Sequence, residues 1–444
     1  MLYASVSHNL SRGIGTFWFP QFSLHNVAGL SSFHEHPPLV FGIQSLFFKL
    51  IGDSMYVERL YTFLTMCITA ALINLFWKEL YEKETGPKRL GWLPIIFWIS
   101  VPVCFWSYSN NMHENTMGIF TLAAVWLIYK SFHAAKFSVA LGMLAGIFIF
   151  LATLSKGLPG FFPLAVPFLY WVTLRKSTFS STFLQTLLVT LVPVVLYAIL
   201  FFIPESKESL STYLFKRVLH RINEQPTVDT RAYILLRLFL ELLPATLLVI
   251  ITVLVAKAKR IQCEFAGRCR YSVFFILVGL SASAPLILTL VQKGFYFVPS
   301  LPFFAIGFAI FITPVVRDLT ERIEAHRKKY NALSLLASLL FIGTITFALM
   351  QIGKTRTDKE LLHDVYLIGQ VVPKQTTVSI PREMWNDWSL QCYLMRYFNI
   401  SVEPDNQRNY CILDTTPRRM KTDTYSDYKK VNLRTLKYAL YQRE

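Results

Sequence analysis

Charged residues are scarce in this chain, and acidic residues are the scarcest of them. Asp, Glu, Lys and Arg make up only 16% of 444 residues, with 27 acidic against 44 basic side chains. No sequence repeat of about 20–50 residues recurs, and no inverted halves of the kind seen in many transporters are evident. So little charge excludes a soluble enzyme with one large core.

Long apolar segments take the place of charge. Hydrophobic residues make up 53% of the chain, 37 residues are Phe, and the mean hydropathy is +0.42. A membrane-spanning helix needs about 20 apolar residues, because its backbone finds no water in the hydrocarbon. We predict an all-α polytopic membrane bundle of about ten helices, of which the second and third are short enough to form a re-entrant pair. The predicted spans are 57–78, 92–106, 116–129, 137–154, 160–174, 183–203, 232–256, 271–291, 295–315 and 332–350.

The basic residues predict the orientation of the bundle. They concentrate in alternate loops, for example around Lys83, Arg175 and Arg260, and an excess of Lys and Arg is typical of cytoplasmic loops. The outward loops hold basic residues too, so the rule is obeyed on balance. The net charge of +17 is spread over many loops rather than one soluble face, which argues against a nucleic-acid partner.

Three regions follow from this topology. We predict an outward first loop with interfacial helices over 1–56, a transmembrane bundle over 57–351, and a soluble α/β domain outside the cytoplasm over 352–444. In the last region, alternating apolar residues predict strands at 377–380, 400–403 and 410–414 and a helix at 385–398. Cys392 and Cys411 lie in this domain, either as a disulfide or as two unpaired thiols.

Ionisable residues recur at the outward ends of the apolar segments. Any one of them is more often a capping or snorkelling group, but charges beside lipid normally face a wet, protein-lined cavity. Their concentration on one side of the membrane indicates a site there. They are His34-Glu35-His36-Pro37-Pro38, His113-Glu114-Asn115, Ser155-Lys156-Gly157 and Gln292-Lys293-Gly294-Phe295-Tyr296, with Arg237 and Glu241 as a further pair.

These segments resemble motifs of a known family. Residues 35–39, with the Leu-Phe-Phe-Lys-Leu-Ile-Gly run at 46–52 and Glu58-Arg59-Leu60, are similar to an E-[KH]-P-P-L…LFG…ARL stretch. Residues 154–157 match L-[ST]-K-G, and residues 293–302 match K-x-x-Y-x-x-P-x-x-P. The family is the GT-C type integral-membrane glycosyltransferases, in the branch of protein O-mannosyltransferases and lipid A aminoarabinose transferases.

The resemblance implies a function and a set of site residues. Such enzymes move a sugar from a polyprenyl-phosphate donor to a lipid, glycan or protein acceptor. The resemblance also implies that the chain lies in a bacterial inner membrane with its C-terminal domain in the periplasm. A divalent cation is a candidate cofactor, with no metal ligands assigned. The implied catalytic residues are Glu35, His36 and Glu114, and the implied substrate-binding residues are Tyr3, Lys156, Lys293, Tyr296, Arg217, His220 and Arg221.

The family's acidic motif D-[EG]-x-x-Y-A is the main departure. Tyr3-Ala4 matches its end, which places the Asp two positions before Met1. An outward first loop also calls for a spanning helix before it. We therefore expect a truncated N-terminus, with the first helix and the catalytic Asp lying upstream, and an inactive chain.

Three other functions compete with sugar transfer. A transporter or flippase is the alternative, because it is the commonest class among proteins with so many spans. A ligase or polymerase of lipid-linked glycans also acts outside on polyprenyl carriers. A binding subunit without activity is consistent with the absent Asp.

Overall fold

The chain folds into two compact units. One comprises Met1–Phe33, Phe41–Glu58 and Ala332–Glu444, and the other comprises His34–Val40 and Arg59–Asn331; we call them the N/C unit and the bundle unit. The computed structural model describes residues 1–24, 32–134, 139–219, 226–261, 266–355, 357–404, 406–415 and 427–444.

Helices dominate the described residues. The α-helices are α1 Leu2–Ser11, α2 Leu39–Ile51, α3 Val57–Leu80, α4 Thr85–Lys88, α5 Trp92–Ile99, α6 Pro102–Ser109, α7 His113–His133, α8 Val139–Lys156, α9 Val166–Leu174, α10 Phe179–Phe201, α11 Pro204–Ser211, α12 Tyr233–Ala258, α13 Ala266–Ser283, α14 Leu301–Glu324, α15 Arg327–Met350, α16 Lys359–Val371 and α17 Trp388–Phe398. The 3-10 helices are Leu158–Ala165, Ala284–Leu288, Gly294–Ser300 and Arg382–Met384, and a π-helix covers Thr212–Val218.

Seven single helices in the described residues are long and apolar enough to cross a membrane, and one bent pair raises this to eight. The prediction of a polytopic helical membrane protein is confirmed. Two of the ten predicted spans, 116–129 and 160–174, are helical, within α7 and within Leu158–Leu174. These helices do not meet the requirements of both length and apolar composition for crossing a membrane.

The predicted span 92–106 is the bent pair. Helices α5 and α6 meet at an angle of 81°. Val101 has an extended backbone conformation between them, with ψ of 119°. The ring of a proline disfavours helical conformation at the residue before it, so Pro102 favours a break of the helix here and a restart in a new direction.

Aromatic and aliphatic side chains fill the core of the bundle unit. Helices α7 and α8 pack along each other, as do α13 and α14, and α8 also packs against α10. Because α7 and α8 follow one another in the chain and run side by side, the start of α7 lies near the end of α8. The largest fully buried side chains of this unit are Trp77, Trp98, Tyr170, Phe76, Phe97, Phe274, Phe275, Phe297 and Phe303.

The N/C unit contains a five-stranded sheet in the order β2-β1-β3-β5-β4. Strand β1 runs parallel to β2 and β3, while β5 is antiparallel to β3 and β4. The α/β domain is therefore confirmed, and β4 and β5 are additions to the predicted strands. The strands are β1 Thr377–Ser379, β2 Ser401–Glu403, β3 Tyr410–Asp414, β4 Tyr428–Lys430 and β5 Tyr438–Arg443.

The first helix packs against this domain within the N/C unit. Ser5 Oγ donates to the Cys392 carbonyl at 3.2 Å, and the Leu24 amide donates to Ser401 Oγ at 2.9 Å. Cys392 and Cys411 are free thiols. Burial raises the pKa of Cys392 to about 11, so this thiol stays protonated near neutral pH.

Candidate functional site

A cavity of about 570 Å³ opens inside the bundle unit, and we call it the Lys156 cavity. Three ionisable side chains, His36, Glu114 and Lys156, line it together with Tyr213 and Tyr296. Two hydroxyl residues, Ser281 and Thr289, also line it. The remaining lining residues are apolar: Met117, Leu158, Pro159, Phe161, Phe162, Val218, Leu219, Ala282, Pro285, Leu286, Leu288 and Val291. A mostly apolar lining that also holds a cluster of charged side chains suits an amphiphile with an anionic head.

The local structure explains why the charges meet. Glu114 lies in the first turn of α7 and Lys156 is the last residue of α8, and these two helix ends adjoin because α7 and α8 pack along each other. His36 precedes Pro37 and Pro38, which hold the chain extended before α2 begins at Leu39. Three segments distant in sequence thus deliver one side chain each.

The three ionisable side chains form a buried chain of contacts. Lys156 Nζ lies 2.9 Å from His36 Nε2 and 3.1 Å from Glu114 Oε1. Only 1% of Glu114 and 7% of Lys156 is exposed. A lysine ammonium only donates hydrogen bonds, so Nε2 of His36 is the acceptor and the ring proton resides on Nδ1. The resting cluster therefore has one cation, one carboxylate and one neutral imidazole.

A second ion pair lies at Glu35. Arg217 Nη2 donates to Glu35 Oε1 at 2.5 Å, and both side chains are about three-tenths exposed. Arg217 belongs to the π-helix Thr212–Val218, a conformation that is frequent at functional sites. The same segment carries Tyr213, whose hydroxyl donates to the Lys156 carbonyl at 3.3 Å.

Gly157 makes the contact with Tyr213 feasible. Its φ of +88° and ψ of −148° lie in a region that is essentially restricted to glycine. A Cβ atom at this position would lie 1.8 Å from the Tyr213 hydroxyl. The L-[ST]-K-G motif thus combines a cation with the one residue type that lets the π-helix approach.

Two further histidines border the cluster. The ring centroids of His36 and His113 lie 5.5 Å apart, and His113 is 1% exposed. Burial, and after it the charge of Lys216, lowers the pKa of His34 below its ordinary value. His34 is thus neutral at physiological pH and adds no charge to the site.

Not all predicted site residues share this cavity. Lys293 lines a different cavity, together with Arg237 and Glu241, so the site residues that the resemblance implies are divided between two cavities. Tyr3 lies in the N/C unit, where its ring packs edge-on against Phe41 with centroids 6.1 Å apart. His220 and Arg221 lie outside the described residues.

Sequence reasoning missed the apolar part of the lining. Phe161 and Phe162 lie in the 3-10 helix Leu158–Ala165, which was predicted as part of a membrane span. The prolines at 159, 163 and 285 were the signal that these segments do not form regular α-helix. In the described residues, no group of three or more His, Cys, Asp or Glu side chains is placed to hold a metal ion.

The chain is similar to known proteins in one sequence-family model and in its fold. A protein-family model described as dolichyl-phosphate-mannose-protein mannosyltransferase matches residues 35–202, which include His36, Glu114 and Lys156. No match is found among curated proteins.

Two crystal structures of ArnT from Cupriavidus metallidurans have the same fold. The structure with bound undecaprenyl phosphate superposes with a TM-score of 0.61, and the apo structure with a TM-score of 0.62. In both, the identity is 12%, and the match covers 99% of this chain and 92% of the other. The GT-C fold and the resemblance to GT-C membrane glycosyltransferases are confirmed.

Proposed function

We propose that this chain, a membrane protein of GT-C type, transfers a sugar from a polyprenyl-phosphate carrier to an acceptor hydroxyl outside the cytoplasm. The observation that carries the proposal is the Lys156 cavity, whose mostly apolar lining includes the buried contacts of Lys156 with His36 and Glu114. The crystal structure of ArnT with undecaprenyl phosphate, which has the same fold, supports this class of donor.

Lys156 holds the phosphate of the donor in this proposal. The isoprenoid chain lies along the apolar lining that includes Phe161 and Leu286, and the phosphate oxygens accept hydrogen bonds from the Lys156 ammonium. The phosphate is the leaving group, so a fixed cation beside it stabilises the charge that develops as its bond to the sugar breaks. In a cavity with little water, this stabilisation is stronger than it would be in solution.

In this proposal Glu114, rather than the Asp that the family motif calls for, receives the proton of the acceptor, so we expect an active chain in place of the inactive one that the motif implied. When the donor phosphate engages Lys156, the ammonium gains a second anion, and its pairing with Glu114 weakens. The acceptor oxygen then bonds to the sugar carbon, the bond from that carbon to the phosphate oxygen breaks, and the hydroxyl proton passes to the Glu114 carboxylate. His36 keeps Lys156 in place through the 2.9 Å contact.

Glu35 and Arg217 position the π-helix over the cavity. Their ion pair and the Tyr213 hydrogen bond to the Lys156 carbonyl join Thr212–Val218 to the two segments that carry His36 and Lys156. Tyr296 lines the same cavity and contributes a donor for a phosphate or a sugar hydroxyl.

The location follows from charge and topology. The loops richest in Lys and Arg are expected on the cytoplasmic side, and the Lys156 cavity lies at the opposite ends of α7 and α8 from the basic residues Lys130 and His133. We place the chain in a bacterial inner membrane, with the cavity and the C-terminal domain on the periplasmic side.

Transfer by the reconstituted full chain tests the proposal. Proteoliposomes that contain lipid A or a hydroxyl-bearing peptide as the acceptor are supplied with undecaprenyl-phosphate mannose or aminoarabinose, and release of undecaprenyl phosphate is measured by mass spectrometry. We expect release from the wild type, loss in Lys156→Gln, and retention in Lys207→Gln, which removes the same charge from an exposed site on α11. Movement of the intact donor across the bilayer without cleavage would instead identify a flippase.

A further inference from the structure

A cavity of about 460 Å³ lies between α6, α12 and the 3-10 turn Gly294–Ser300, and we call it the Lys293 cavity. The sugar-transfer proposal above does not use it. Its lining is Pro102, Val103, Trp106, Arg237, Glu241, Lys293, Gly294 and Phe295. One turn separates it from the Lys156 cavity, since Lys293 and Phe295 face one cavity and Tyr296 lines the other.

The charges of this cavity leave one cation uncompensated. Glu241 is 5% exposed, and both of its oxygens are occupied: Oε1 accepts from Arg237 Nη2 at 2.6 Å and Oε2 from the Val103 amide at 2.8 Å. Glu241 thereby neutralises Arg237 and caps the start of α6. Among the described residues, no acidic side chain pairs with Lys293, whose Nζ lies 6.0 Å from the Phe295 ring centroid.

Arg237 also stays partly exposed at this cavity. Its guanidinium is held by Glu241 on one side, and 45% of the side chain stays exposed. Gly294 brings the turn close, because a Cβ there would lie 3.4 Å from Arg237 Nε. The remaining guanidinium donors and the Lys293 ammonium can thus bind one anion together, and Arg favours phosphate oxygens because of its planar set of donors.

One wall of the cavity is aromatic. Trp106 and Phe295 stack with ring centroids 5.3 Å apart and an interplanar angle of 14°, and Trp106 is 44% exposed. Tryptophan is enriched at the boundary of membrane and water. A phosphate that carries a lipid can place its head on the two cations and its glycerol or upper chain on this wall.

We propose that the Lys293 cavity is a second anion site, which binds the phosphoryl head group of a membrane lipid separately from the sugar donor. A snorkelling role alone would account for the presence of Arg237, because its charge is compensated by Glu241. It does not explain why Lys293, which has no acidic partner among the described residues, lines the same cavity as Arg237 beside an aromatic wall.

Lipid binding measured directly tests this proposal, and the result does not depend on sugar transfer. The full chain in detergent is titrated with dioleoyl-phosphatidylglycerol, and bound lipid is quantified by native mass spectrometry. We expect Lys293→Gln to weaken the tightest binding event about tenfold, as for loss of one charge-assisted contact. Lys207→Gln, which removes an exposed charge elsewhere in the same unit, leaves it unchanged. Equal affinities in wild type and Lys293→Gln would overturn the proposal.

Two further arms sharpen the test. Arg237→Gln/Glu241→Gln removes the pair without stranding a buried carboxylate, and we expect it to weaken the same event. Inorganic phosphate at the lipid concentration is not expected to compete, because it lacks contacts with Trp106. Full competition by inorganic phosphate would overturn the lipid assignment.

Discussion

Arg396 donates to the carboxylate of Glu58 at 2.9 Å, although the two residues are 338 positions apart and almost completely buried. The same guanidinium donates to the Ser54 carbonyl at 2.8 Å and lies 4.6 Å from the Phe48 ring centroid. Within the N/C unit, one side chain of α17 therefore joins the C-terminal domain to three residues of the first fifty-eight.

Removal of this arginine is expected to destabilise the N/C unit strongly. Breaking one partner from a buried ion pair costs roughly 3–5 kcal/mol, because the remaining charge has no compensation. We expect Arg396→Leu to lower the unfolding free energy by about that amount and Arg396→Leu/Glu58→Leu to recover part of it. Chemical denaturation of the full chain, followed by circular dichroism, gives both values.

Lys437→Leu serves as the control for this prediction. Its ion pair with Asp387 is 3.7 Å long and 43% of its side chain is exposed, so its loss is worth about 1 kcal/mol or less. Equal losses of unfolding free energy in Lys437→Leu and Arg396→Leu would show that the buried Arg396–Glu58 pair stabilises the unit no more than an exposed pair does.

Glu114→Gln is expected to separate donor binding from transfer. The substitution removes the carboxylate 3.1 Å from Lys156, so the full charge of the ammonium becomes available to a phosphate. We expect undecaprenyl phosphate to bind more tightly, by about tenfold, while transfer is lost because the proton acceptor is gone.

Lys156→Gln is predicted to weaken donor binding and transfer together.

The matched control for Glu114→Gln is Glu208→Gln, which removes a carboxylate on the exposed face of α11. Unchanged or weaker binding of undecaprenyl phosphate to Glu114→Gln would contradict the assigned role of this carboxylate.

Gly157→Ala is predicted to disrupt the contact of the π-helix. Its backbone conformation costs a non-glycine residue about 1–3 kcal/mol, and the new Cβ would also overlap the Tyr213 hydroxyl. Thermal unfolding should show a loss of stability, and part of it should return in Gly157→Ala/Tyr213→Ala, where only the backbone cost remains. In Gly343→Ala, where no atom lies within 4 Å of the added Cβ, no loss is expected.

Acid is predicted to destabilise the N/C unit through His8. Burial is the largest cause that lowers the pKa of His8 from 6.5 to about 4, although its 2.7 Å contact with Asp53 opposes the shift. The unfolded chain thus binds a proton between pH 6.5 and 4 that the folded chain does not. His8 therefore leaves the unfolding free energy unchanged above pH 6.5. As the pH decreases from 6.5 to 4, it lowers this free energy by up to about 3 kcal/mol.

Denaturant titrations at pH 7 and pH 4.5 measure this effect. His8→Gln should flatten the dependence on pH, whereas His326→Gln, at an exposed position, should leave it unchanged. The pKa of Asp53 is lowered by its bonds to His8 and Arg12, against the effect of burial, and therefore adds acid sensitivity only below the ordinary carboxylate range. An unaltered slope in His8→Gln would rule out the histidine as its source.

Helices and strands were largely predictable because they depend on local pattern. The apolar runs at 183–203 and 232–256 correspond to α10 and α12, and the prediction at 410–414 coincides with β3. Strand β5 was missed because Tyr438–Arg443 ends in the polar residues Gln442 and Arg443. It is stabilised as a strand by pairing with β3. The bend at Pro102 was also missed, since a break inside a short apolar run leaves its composition unchanged.

The sequence by itself determined that this protein is a helical membrane protein with ionisable residues at its helix ends, because spanning length and motif order are local properties. Only the tertiary structure decided which charges share a cavity. Lys156 meets His36 across 120 positions, whereas Lys293 lines a cavity with Arg237 instead. The physical reason is that the direction of a side chain at a helix end depends on the turn that carries it and on the helices packed against that turn.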